Sequence, residues 1–225
     1  FNEAIHGLKA RKDLKVGIHL NLTYGKSLNS SLIFSDTNGF FNLNYLQLFY
    51  KSIFSNHFLE KVEDEFELQI QKAIQNNIDI SHLDSHRHIH LIPSIYKIVY
   101  GLSTKYNIRR VRLVNENIFH SLKLTKKINF FMNGGLLKYF LLKIFTIFNK
   151  LHGNKYENIS FYSILYTGVI GRTSLHKLMS SNAFYEIVVH PSCINLDKDI
   201  TFYNDAEKAY RLSANRSLEL LGILK

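Results

Sequence analysis

The sequence predicts an α/β fold of parallel strand–helix–strand units, in one domain spanning residues 1–225. Period-two stretches of aliphatic residues recur at 15–23, 78–93, 108–114, 161–167 and 185–189, and each reads as a strand. Helical spacing fills the intervals, which is the alternation expected of parallel sheets with crossover helices. Histidines mark several of these strands, and in parallel α/β folds the carboxyl ends of strands collect the groups of a site. His190, closing EIVVHP, is well placed to act.

Taken in order, residues 3–12 look like the tail of a helix. In KVGIHLNLT (15–23), Val16, Ile18, Leu20 and Leu22 alternate with Gly17, His19, Asn21 and Thr23, so His19 and Asn21 share the face opposite the aliphatics. Residues 24–56 are rich in Ser, Asn, Gly and aromatics and read as a long loop, with a turn at Asp36-Thr37-Asn38-Gly39. A loop of this length after a strand can serve as a binding wall or be a surface excursion. Leu59, Val62, Phe66, Ile70, Ala73 and Ile74 then mark one face of a helix whose carboxylates are assigned to solvent, and Asn76-Asn77 ends it. After the histidine-rich strand, helical spacing covers 94–105, and IRRVRLV (108–114) is a strand with Arg110 and Arg112 on one face. Helical patterns at 174–180 and 206–221 complete the alternation.

Composition narrows the class. Hydrophobic residues make up 46% and charged residues 20%, as in ordinary globular proteins. A net charge of +10 invites comparison with nucleic-acid binders, but Lys and Arg are scattered and no nucleic-acid motif accompanies them, so no nucleic-acid partner is expected. The single cysteine, Cys193, excludes an internal disulfide and suits a reducing, cytoplasmic setting; it is read as filler, not as a nucleophile. The chain opens on Phe1, so a missing signal peptide says nothing of location. The most apolar segment, 128–148, is interrupted by Asn133, Gly134, Gly135, Lys138 and Lys143, which predicts a buried or interfacial helix and not a membrane span. Its flanking lysines leave peripheral membrane contact open, and a homodimer is open too.

The chemistry concentrates in IDISHLDSHRHIHLIP (78–93). Imidazoles and a carboxylate crowded into a half-buried segment must be hydrogen-bonded, charged or metal-bound to offset their desolvation. As a strand, the stretch puts His82, Asp84, His86, His88 and His90 on one face; as a helix it would stack His82, His86 and His90. The flanks favour the strand, with Ile78 and Ile80 alternating into it and Pro93 closing it. Residues four apart on a strand lie roughly 13 Å apart, so only one or two of these groups are expected to touch a metal, the others orienting ligands or binding substrate.

GIHLNLTYGKSL (17–28), HLDSHRHIHLIP (82–93), IRRVRLVNE (108–116) and EIVVHP (186–191) together resemble the YdjC-like carbohydrate deacetylases, which include chitooligosaccharide and hopanoid-associated deacetylases. NRSLELLGIL (215–224) is similar to that family's Arg-x-x-Glu-Leu helix through Arg216 and Glu219. The resemblance implies a distorted (β/α) barrel, one divalent cation (magnesium or zinc), and removal of acetyl groups from N-acetylated sugars or oligosaccharides. By motif match it implies His19 and His86 as metal ligands, His190 as general acid for the departing amine, and Asp84 and Arg112 as orienting or substrate-contacting groups. The family's Asp-Asp pair, which supplies a third ligand and a base, has no match here, so the barrel is expected to be incomplete at its N-terminus and the chain to keep the metal and acid half of the apparatus without the base half. Zinc tolerates such a site better than a hard cation does. Two alternatives stand beside this reading: a metal-dependent phosphoesterase, which needs several more acidic ligands, and a catalytically inactive, sugar-binding or degenerate barrel.

Overall fold

The computed structural model describes residues 1–9, 11, 13–124, 135–152, 159–162, 164–166, 170, 172–180, 184–192, 208–209 and 212–223. The chain forms two compact units, Phe1–Leu113 with Phe145–Tyr156, and Val114–Ile144 with Glu157–Lys225. Both are α/β, each with a small parallel sheet. Cys193, residues 128–134 of the apolar segment and the start of the helix expected from Ala206 lie outside the described residues.

In the first unit, α1 (Asn2–Lys9) precedes β1 (Val16–Leu20), which pairs in parallel with β2 (Ile80–Ser85). The register sets Gly17 against His82, Ile18 against Leu83, His19 against Asp84 and Leu20 against Ser85. The expected strand at 108–114 contributes one parallel bridge, Val111 to Leu83: the Leu83 N–H donates to Arg110 O at 2.8 Å, and the Arg112 N–H donates to Leu83 O at 2.9 Å. Only Leu83 is shared, yet that is enough to fix Arg112 at the edge of β2.

The expected loop 24–56 holds α2 (Tyr45–Phe54), started by a capping box between Asn44 and Gln47. Its turn is as read: the Gly39 N–H donates to Asp36 O, with Gly39 at a left-handed φ of 80°. The helix α3 (Asn56–Ile74) starts at Ser55, whose hydroxyl accepts from the Phe58 N–H at 3.1 Å. Phe58, Val62, Phe66 and Ile70 are fully buried on one face, each contributing about 1.5–3 kcal/mol. Three carboxylates of α3, Glu60, Glu63 and Asp64, face water as expected, but Glu65 is fully buried. Asn77 ends the helix in a left-handed conformation, φ 59°.

The histidine stretch departs from its expectation. β2 stops at Ser85, and His86–Leu91 form a 3₁₀ helix in which Arg87 (φ 55°) and His88 (φ 57°) are left-handed. Ser85 causes the reversal, because its hydroxyl accepts from the His90 N–H at 2.9 Å and hydrogen-bonds His90 Nδ1 at 2.6 Å, folding the chain back. His90 Nε2–H donates to Arg112 O at 3.0 Å. Pro93 then opens α4 (Pro93–Lys105) at its first turn.

The second unit contains α5 (Ile118–Leu124), the parallel pair β3 (Ser160–Tyr162) and β4 (Tyr185–Ile187), α7 (Arg172–Met179) and α8 (Ala214–Ile223). The buried carboxylate of Glu116 accepts from Ser121 Oγ and the Ile164 N–H, both at 2.6 Å, and tethers the start of α5 to the segment after β3. The helix α6 (Gly135–Lys150) has residues 135–144 assigned to this unit and 145–150 to the first, with Tyr139, Leu142 and Phe145 buried and Leu137, Phe140, Ile144, Ile147 and Phe148 exposed. Among the described residues no helix is long and apolar enough to cross a membrane.

Two outcomes test this packing. A Cβ on Gly17 would lie 2.4 Å from the His82 ring, so Gly17→Ala is expected to destabilise by roughly 1–3 kcal/mol in denaturant unfolding. Adding His82→Ala should recover most of that loss. Burial, opposed by Asp84 and reinforced by Arg112, holds the His90 imidazole down to about 4. The unfolded chain therefore binds the proton first, and stability present above about pH 6.5 should fall by on the order of 3 kcal/mol as pH drops toward 4. Thermal melts across that range check it, and His90→Gln should flatten the slope.

Candidate active site

The register of β1 and β2 brings His19 beside Asp84. The carboxylate is acceptor-only when ionised, so the 2.7 Å bond has His19 Nδ1–H donating to Asp84 Oδ1. Arg112 donates through a terminal guanidinium nitrogen to Asp84 Oδ2. Burial by itself would push the Asp84 carboxyl up, but the His19 hydrogen bond and the Arg112 charge outweigh it and hold it well below the usual carboxylate range. Burial lowers the Arg112 guanidinium while Asp84 raises it, and a guanidinium stays charged through such shifts. His19 is 57% exposed and can be reached from solvent, whereas Asp84 is 8% exposed.

His86 is the first residue beyond β2. Its Nδ1 lies 2.6 Å from Thr23 Oγ1, and the Thr23 N–H donates to Asn21 Oδ1 at 3.0 Å. Either partner can supply the proton of this contact, the ring through Nδ1–H or the hydroxyl through its O–H, and an ion held at Nε2 calls for the first, the tautomer His19 has. The two rings meet edge to face with centroids 6.0 Å apart, and the Tyr24 ring stands edge-on 6.2 Å from His86. A hydrogen bond through Nδ1 is the usual way an imidazole is oriented to meet a metal with Nε2. A ring centroid lies roughly 3 Å from an ion held through one of its nitrogens, so centroids 6.0 Å apart stand at the outer limit for two donors to one cation. Both Asp84 oxygens are engaged, and among the described residues no group of three or more His, Cys, Asp or Glu could hold a metal. The two rings fit as part of a donor set.

Four of the five singled-out residues, His19, Asp84, His86 and Arg112, thus come together in the first unit. The remaining histidines of the stretch do other things: His82 packs over Gly17, and His88 and His90 are buried. His190 belongs to the second unit, where its N–H donates to the buried Glu219 Oε2 at 2.6 Å and its carbonyl accepts from Arg216 Nε at 2.7 Å. The Arg-x-x-Glu spacing of α8 therefore grips the peptide of His190 from both sides. Sequence reasoning did not single out Thr23 as the partner of His86, although its place on the His19–Asn21 face was the available signal. Glu65 and Gln69 carried no signal beyond helical spacing.

The family model described as YdjC-like protein matches residues 1–222. Carbohydrate deacetylase 1 of Listeria innocua serovar 6a is 36% identical over 124 residues, covering 55% of this chain and 49% of that protein. A carbohydrate deacetylase of Clostridium beijerinckii is 30% identical over 125 residues, covering 54% and 49%. The chain spans about half the length of the curated relatives it matches. In fold it is similar to a protein of Enterococcus faecalis V583 named provisionally for cellobiose-phosphate cleavage, with a TM-score of 0.56 at 20% identity over 100% of this chain and 80% of the other. The match across nearly its whole length makes this chain a member of the YdjC-like family.

Proposed function

We propose that this chain carries the metal-binding and acid part of a carbohydrate deacetylase, a hydrolase that removes acetyl groups from N-acetylated sugars, on a distorted (β/α) barrel framework. The observation that carries the reading is the pairing of His19 and His86, fixed through Nδ1 by Asp84 and Thr23, with centroids 6.0 Å apart. The names of relatives such as those of Listeria innocua and Clostridium beijerinckii support the sugar substrate.

His19 and His86 would hold the divalent cation, zinc or magnesium, through Nε2. Such an ion supplies polarisation of an acetamide carbonyl and a bound water of lowered pKa. Asp84 keeps the His19 ring in the tautomer that presents Nε2, and Arg112 keeps Asp84 ionised. His190 is the residue assigned to give the departing amine its proton, with Arg216 and Glu219 fixing its backbone. The phosphoesterase alternative needs carboxylate-rich clusters, and none is found among the described residues.

Calorimetric titration with zinc is expected to show one site in the unaltered chain, weakened at least about 10-fold by His19→Ala or His86→Ala. Equal affinity in all three proteins would overturn the metal assignment. Acetate release from N-acetylglucosamine oligomers with added zinc should be weak and should disappear in His190→Ala. Saturable binding of the oligomer with no acetate released would favour the sugar-binding alternative.

A further inference from the structure

We propose that Gln69 of α3 is a positioning residue that sets the ring of His86 through Asn21 and Thr23. Asn21 follows β1 directly and so lacks a strand partner's support from the sheet register, which ends at Leu20. The Gln69 amide takes that place. Its Nε2 donates to Asn21 O at 2.8 Å, and its Oε1 accepts from the Asn21 N–H at 2.9 Å, so one side chain of α3 pairs with both polar groups of the Asn21 backbone. The second Nε2 hydrogen goes to Glu65 Oε1, also at 2.8 Å. Turning the amide over would set its oxygen against a carbonyl and a carboxylate, so the orientation has one solution.

Glu65 locks the other end. It is fully buried, and its oxygens accept from Ser27 Oγ at 2.7 Å and from the N–H groups of Leu28 and Asn29 at 3.0 Å. Residues 21–29 are thereby clamped at both ends to one helix. Between the clamps, Asn21 Oδ1 accepts from the Thr23 N–H at 3.0 Å, which places the Thr23 residue whose oxygen lies 2.6 Å from His86 Nδ1. The inference rests on the proposed role of His86 only where metal affinity is concerned; the orientation of the ring can be read without metal.

The test uses metal-free protein labelled with ¹⁵N-histidine, in which ring nitrogen shifts report the tautomer of each imidazole, with His86→Ala identifying the His86 signals. The unaltered chain should show one preferred tautomer at His86. Gln69→Ala and Thr23→Val should both lose that preference, Thr23→Ser should restore it, and His19, held by Asp84 instead, should not change. Zinc affinity should fall about 10-fold in Gln69→Ala. If Gln69→Ala fails to fold by circular dichroism, Gln69→Met, which keeps the length of the side chain, is read in its place. An unchanged His86 tautomer, or an equal change at His19, would overturn the proposal. Loss of the His86 preference in a protein that binds no zinc at all would uphold it while removing the metal assignment.

Discussion

A carboxylate held out of water must be met by charge or by donors, and Asp84 is met on both oxygens, by Arg112 on one and His19 on the other. The rest of the site depends on that arrangement. It needs β1 and β2 parallel in a register that sets residue 19 against residue 84, and it needs the bridge from Val111 to Leu83 that delivers Arg112 to the edge of the sheet. A slip of one residue would turn His19 to the opposite face and leave a buried ion without its partner. The register is therefore held by aliphatic packing and by electrostatics together, and both agree.

The two imidazoles are fixed by different physics. His19 answers to an ionised carboxylate, whereas His86 answers to a hydroxyl backed by two neutral amides. Neutral hydrogen bonds are individually weaker than charge-assisted ones but need no ionised partner. The His86 side compensates with number: α3 clamps the loop through Glu65 and Gln69, so Thr23 has little freedom. A helix whose exposed carboxylates do nothing special thus carries one buried carboxylate that organises a whole loop.

Much of this was legible in the sequence. Alternation located β1, β3 and β4, helical spacing located α3, α4 and α7, and Asn76-Asn77 and Asp36–Gly39 marked a helix end and a turn. What stayed hidden has physical causes. The helix α2 was concealed by the Ser- and Asn-rich residues before it, although Asn44 with Gln47 is a start signal. The burial of Glu65 escapes helical spacing, which sees apolar residues and not a carboxylate whose donors come from a loop nearly forty residues away. The segment 108–114 alternates like a strand, yet it bridges β2 at one residue, Leu83, since strand length depends on what the neighbour offers and not on alternation alone.

The histidine stretch shows most plainly how clustering in sequence differs from clustering in space. Period two continues past Ser85 without a break, and alternation alone carries His86, His88 and His90 onward along one face. Two successive left-handed residues, Arg87 and His88, undo this at a cost of roughly 1–2 kcal/mol each, since neither is glycine. That cost is offset by Ser85, which binds both the backbone and the ring of His90, and by Asn149 Nδ2, which donates to Leu91 O at 2.8 Å. The reversal sorts chemically equal side chains into unequal environments. His90, buried and neutral, becomes part of the core, while His86, left at the carboxyl end of β2, faces His19. Strain at two residues turns His88 and His90 off the line of β2 and leaves His86 as the histidine of the stretch that meets His19.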